Sequence, residues 1–108
     1  MVFKPSTKKE LQDAVNLWCD KKEEAVEKYG VINTWDTSLI TDRSHLFEDK
    51  KDFNGDISNW DISNVTNMFC IFYYCSNFNQ PLNNWNMSNV LLQYSHFLIY
   101  PRKRINRE

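Results

Sequence analysis

The chain has 108 residues, with 13 Lys and Arg against 14 Asp and Glu and a formal net charge of −1. That length fits a single domain, and the slightly acidic balance argues against a protein built chiefly to grip nucleic acid. Three cysteines, an odd number, exclude a closed disulfide framework, and no apolar run reaches the roughly 18 residues of a membrane span.

The chain opens on MVFKPSTKKE, charged and broken by proline, which is unlike the apolar core of a secretory signal. Residues 7–29 predict an amphipathic helix. Thr7 with Glu10 forms a capping-box pattern just after Pro5. Leu11, Ala14, Val15, Trp18, Ala25, Val26 and Tyr29 then fall on one stripe, and Gly30 follows as a terminating glycine. Six Lys are balanced by six acids up to Gly30, so a cap for a neighbouring apolar face fits better than a membrane-surface helix.

Next comes a repeat. Trp35, Trp60 and Trp85 stand 25 residues apart and are followed by WDTSLI, WDISNV and WNMSNV. A fixed period of this length marks units that must stack to bury their apolar faces. Trp35/Trp60/Trp85, Ser38/Ser63/Ser88, Phe47/Phe72, Phe53/Phe78 and Asn54/Asn79 are the structural positions of that repeat. Beyond Val90 the third unit departs from the pattern and reads as degenerate.

Within a unit, Val65, Met68, Phe72 and Cys75 recur every three or four residues, which predicts a short helix capped by Ser63 or Asn64. Residues 57–60 and 82–85, bounded by Gly, Pro and Asn, predict strands of about four residues. Together these predict an α/β class fold: a short right-handed solenoid of leucine-rich-repeat-like units, strand plus short helix, with an N-terminal capping helix. The expected division is residues 1–31 for the cap, 32–100 for the repeats and 101–108 for a basic tail. The recurring Asp-x-Ser and Phe-Asn elements fit corner residues that bond their own backbone.

Little in the sequence points to catalysis. His45 and His96 are the only histidines, and Ser44 beside His45 has no third partner indicated. Histidines and cysteines show no zinc-ligand spacing, and Cys70 and Cys75 fit buried small hydrophobes. Asp52, Asn54 and Asp56 around Gly55 weakly suggest a calcium loop, but the ligand order and closing Glu are missing, so a corner turn fits better. No enzyme activity, cofactor or metal is expected.

Charge is distributed unevenly. Residues 31–61 carry seven acids, whereas residues 62–100 carry no Asp, Glu, Lys or Arg. Arg102, Lys103 and Arg104 then offer an anion contact, or a soluble end that discourages end-to-end stacking, which suits the acidic chain better. Phe97, Leu98, Ile99 and Tyr100 form an apolar run and a candidate partner surface.

The segment DISNWDISNVTNMFCIFYYCSNFNQPLNNWNMSNV resembles the BspA-like leucine-rich repeat surface proteins, whose 25-residue units also occur in Mycoplasma lipoproteins, algae and large DNA viruses. FKPSTKKELQDAVNLW and the first unit are similar to that family's entry helix and first repeat, so the likeness covers residues 3–90. Arg43 stands where the family usually has Met. The resemblance implies a non-catalytic protein–protein interaction module, with adhesion or host interaction as the family role, and carries over no functional residue. The alternatives are a self-assembling component docking through its last repeat, or a weak nucleic-acid contact through the tail. The expected partner is a protein or a second copy. With no signal or span in view, the expected location is cytoplasmic, or host cytoplasm or virion for a viral chain.

Overall fold

A computed structural model describes residues 1–90. Helix α1 spans Lys8–Asp20 and starts on a complete capping box. Thr7 Oγ1 accepts the Glu10 N–H at 3.1 Å, while Glu10 Oε1 accepts the N–H groups of Ser6 and Thr7 at 2.7 and 3.3 Å. Its apolar stripe, Leu11, Ala14, Val15 and Trp18, is buried.

The single helix expected over 7–29 is in fact two. Residues 19–24 offer no large apolar side chain to bury, and the chain leaves helical geometry at Lys21 (φ −140°) before restarting as α2, Lys22–Tyr29. Gly30 ends α2 with φ 83° and its N–H on Val26 O at 2.8 Å, a conformation that favours glycine. A 3-10 turn, Ile32–Thr34, then delivers Trp35 to the first repeat.

The α/β solenoid expected from the apolar periods is not the fold. Among the described residues there is no strand, only an isolated parallel bridge between Asp42 and Asn67, and residues 65–75 are not helical. The regular elements are α1, α2 and the 3-10 turn. The repeats are chains of β-turns instead. Leu46, Glu48 and Lys50 each bond through N–H to the carbonyl three residues back, and Ile71, Tyr73 and Cys75 repeat this one unit later.

Alternate turns carry a left-handed third residue, as type II turns require: His45 (φ 60°), Asp49 (64°), Cys70 (55°) and Tyr74 (60°). A chain of such turns brings Met68, Ile71, Phe72 and Cys75 inward at nearly the spacing of a helix face, so apolar period alone does not separate the two. The residues expected as strands also close turns, with Trp60 N–H on Ile57 O and Trp85 N–H on Leu82 O, both at 3.1 Å.

Backbone donors left over by the turns reach across to the next unit. N–H groups of Arg43, His45, Phe47 and Asp49 donate to the carbonyls of Asn67, Phe69, Ile71 and Tyr73 at 2.8–3.0 Å. This aligns residues 35–59, the first coil, with residues 60–84, the second. Between them Phe47 stacks on Phe72 at 5.7 Å, Phe53 on Phe78 at 5.8 Å and Trp35 on Trp60 at 6.2 Å. Such ring pairs contribute about 0.5–1.5 kcal/mol each beyond the area they bury.

The outer side of the first coil is covered by α1. Gln12 Nε2 donates to Leu46 O at 2.9 Å and Lys8 Nζ to Ser44 Oγ at 2.8 Å. The aromatic column ends here with edge-on contacts, since Trp18 meets Trp35 at 84°.

The left-handed turn residues give a direct test. Asp49→Val should lower stability by about 1–2 kcal/mol, since a β-branched residue is strained at that φ. Asp49→Gly should leave stability unchanged or raised by up to about 1 kcal/mol. Urea unfolding of both variants measures the difference.

Candidate functional site

The repeat positions turn out to be packing and corner groups. Each tryptophan is buried and donates its indole N–H to a backbone carbonyl: Trp35 to Gly30, Trp60 to Ile32 and Trp85 to Ile57, at 2.9–3.1 Å. A buried carbonyl without that donor would cost about 1–3 kcal/mol. Phe47 with Phe53 and Phe72 with Phe78 pair within their own coils at 4.3 and 4.2 Å.

The polar positions close the corners. Asp36 Oδ1 accepts both the N–H and hydroxyl of Ser38 at 3.0 and 2.6 Å. Asp61 does the same for Ser63, and Asn86 for Ser88. Asn54 Oδ1 accepts the Asn79 N–H at 2.8 Å, tying one coil to the next. The serine hydroxyl first and its N–H second hold the Asp36, Asp56 and Asp61 carboxyls below the ordinary 3.8.

The suspected calcium loop has its oxygens engaged elsewhere: Asp52 takes Asn77 Nδ2, Asn54 takes Asn79 and Asp56 takes Ser58. Among the described residues no group of three His, Cys, Asp or Glu side chains could hold a metal ion. Cys70 and Cys75 are buried free thiols, and Cys19 is exposed.

Arg43 is an unusual core residue. Only 1 % exposed, it occupies the place that Met68 holds one unit later. Its Nε donates to Ile40 O at 2.9 Å, and Nη2 donates to Thr37 O at 2.8 Å and to Asp61 O at 3.2 Å in the second coil. Nη1 and the nearby Thr37 hydroxyl are buried without hydrogen-bond partners, and the guanidinium lies 5.7 Å from the centre of the Trp60 ring, a cation–π contact that offsets part of that deficit. Burial pulls its pKa down to about 10, which leaves it cationic at neutral pH.

One lateral face carries large aromatic side chains outside the buried core. Phe69 is 48 % exposed and meets His45 edge-on at 5.6 Å, and His45 Nδ1 lies 2.7 Å from Glu48 Oε1. Tyr73 and Tyr74 pack against each other at 4.4 Å. The inter-coil ladder lines these residues up, through His45 N–H on Phe69 O and Asp49 N–H on Tyr73 O. Ser44, beside His45, receives Lys8 instead of serving a triad.

Sequence reasoning missed this face. Its signal is that Phe69 and Tyr73 are large aromatics at the positions where the first unit has Ser44 and Glu48, so the repeat itself does not ask for them. The partner surface expected at Phe97, Leu98, Ile99 and Tyr100, and the anion contact expected at Arg102, Lys103 and Arg104, lie outside the described residues. So do His96 and the tail at 101–108. Among the described residues no helix is long and apolar enough to cross a membrane.

Turn-built coils in 25-residue register, stacked under a two-helix cap, define a small repeat protein. Residues 12–103 match the model of the family described as "Mycoplasma protein of unknown function, DUF285", and the chain belongs to that family. Neither a curated protein nor a solved structure matches it.

The two polar features can be tested separately. Because the folded pKa of Asp61 is depressed, its stabilisation is present above 3.8 and is lost as pH falls through the lower folded value. Asp61→Asn should keep the turn, as Asn86 does, and should flatten the loss of stability between about pH 5 and pH 2.5 in urea titrations. At Arg43, replacement by Met should cost less than replacement by Ala, because volume is kept and removal of a buried charge offsets the loss of the donors to Ile40 O and Asp61 O. Arg43→Ala should cost about 3 kcal/mol, by calorimetry, because it leaves a cavity.

Proposed function

We propose that the chain is a non-catalytic protein-interaction module that engages a partner through the lateral face of its first two coils. The observation that carries this reading is the exposure of Phe69 beside Tyr73 and Tyr74 at positions the repeat does not require. Tyr and Phe are enriched, and charges depleted, at the centres of protein interfaces. Most of the second coil fits that description, since after Asp61 it holds no Asp, Glu, Lys or Arg. The likeness of the middle segment to BspA-like surface proteins supports an adhesion or host-interaction role for this module. The one histidine on the face contacts Glu48 and Phe69.

A second reading, self-assembly, draws on the same scarcity of charge, because the second-coil part of two such faces meets with little electrostatic repulsion. Light scattering across a hundredfold concentration range separates the two. A mass that climbs with concentration in the native chain and stays monomeric in Phe69→Asp favours self-assembly. For the partner reading, immobilised native chain should retain proteins that Phe69→Asp and Tyr73→Asp release, at a loss of about tenfold or more in affinity. Equal retention by all three proteins would exclude the lateral face.

A further inference from the structure

A cleft of about 660 Å³ opens between the C-terminal end of α1 and the corner formed by residues 49–55. Trp18 lines it from the helix and Phe53 from the corner, and each leaves less than a tenth of its surface open, a narrow apolar strip at the base of the cleft. Gly55 keeps this floor close to the backbone, since a Cβ there would come within 2.8 Å of the Phe53 ring.

The rim is charged in equal measure. Asp20 and Lys22 stand on the helix side, and Asp49, Lys50, Lys51 and Asp52 stand on the corner. None of these six forms an ion pair among the described residues, although Lys4, Lys8, Lys9 and Lys21 each lie 2.9–3.9 Å from a carboxylate. Lys22 is held over the Trp18 ring at 5.0 Å, and Asp52 receives one long hydrogen bond from Asn77 at 3.5 Å. Three ammonium groups and three carboxylates, none of them in an ion pair among the described residues, therefore surround one floor.

A ligand of one sign is attracted to half of this rim and repelled by the other half. A ligand carrying both signs a few ångströms apart, with an apolar group between them, meets favourable charge on both sides and buries that group on the rings. A concave site of this size with an apolar base and a few converging polar groups suits a short segment better than a flat protein face.

We propose that this cleft holds a peptide segment of a partner protein in which an apolar side chain, seated on Trp18 and Phe53, stands between one basic and one acidic residue. This inference rests on the protein-binding reading given above, but it uses a surface separate from Phe69. Lys50 and Lys51 take the acidic residue, and Asp20 and Asp49 take the basic one.

An NMR titration of the ¹⁵N-labelled full chain tests this with three end-blocked tripeptides: Lys-Phe-Glu, Lys-Phe-Lys and Glu-Phe-Glu. Lys-Phe-Glu should move the Trp18 indole and the Gly55 amide, and the two single-sign peptides should bind about tenfold more weakly or not at all. A Lys50→Glu, Lys51→Glu double variant should lose binding of Lys-Phe-Glu by about tenfold, and added salt should weaken it in the native chain. These side chains are on the rim, and circular dichroism of the variant checks its fold. Equal shifts from all three peptides, shifts mapping elsewhere, or none at millimolar peptide would overturn the proposal. Phe69→Asp should titrate like the native chain, so failure of the lateral face and failure of the cleft are read independently.

Discussion

The fold depends on a directional set of backbone hydrogen bonds. In the first coil, alternate N–H groups close turns at home while the others point into the second coil, so all of Arg43, His45, Phe47 and Asp49 donate toward the same neighbour. Over residues 43–49 one side of the coil is thus rich in donors and the opposite side in acceptors, while at the flanking corners Thr66 and Asn77 donate back to Thr41 O and Lys51 O. Register follows from this, because a slip of one residue would bring home-bonded N–H groups against carbonyls that need a donor. The aromatic columns follow in turn: once residues a unit apart are superposed, Phe47 falls on Phe72 and Phe53 on Phe78.

The same polarity explains the cap. The first coil's acceptor side faces α1, which meets it with donors, Gln12 onto Leu46 O and Lys8 onto Ser44 Oγ, and buries Leu11, Ala14 and Val15. A helix has no spare backbone donors along its length, so only side chains can supply them. Arg43 adds a tie of the same kind inside the stack. It gives its N–H groups to carbonyls of its own coil and to Asp61 O of the next, whereas Met68 fills the corresponding place without donors. A repeat array needs its terminal units to differ from its interior ones, and here that difference lies in Arg43, Gln12 and Lys8.

The period of the structure was legible in the sequence, and its local conformation was not. Trp60 and Trp85 announce a 25-residue unit because each indole finds the equivalent carbonyl 28 residues back, at Ile32 and Ile57, whereas Trp35, with no unit before it, turns to Gly30 just upstream. The Asp-Ser corners were legible for a similar reason, since an Asx turn is closed within three residues and needs nothing distant. The helix expected around Met68 and Phe72 failed because inward spacing of three to four residues is common to helices and to turn chains. Only the left-handed conformations at Cys70 and Tyr74 separate them, and neither residue type signals a positive φ. The break at Lys21 was hidden by an amphipathic stripe that reads through it.

Function in such an array is written where the repeat is silent. The five positions shared between units hold twelve residues, occupied in core rings and corner bonds. What remains is set by contrasts between units: Phe69 against Ser44, Tyr73 against Glu48, and Lys50-Lys51-Asp52 against Cys75-Ser76-Asn77. These contrasts split the surface into an aromatic face with little charge, centred on the second coil, and a cleft with balanced charge beside the first. A face with little charge discriminates by shape and tolerates salt, whereas a rim of unpaired Lys and Asp discriminates by charge pattern and weakens as salt rises. The two proposed surfaces lie within one ladder of reach, since Asp49 on the cleft rim donates its N–H to the carbonyl of Tyr73 on the aromatic face.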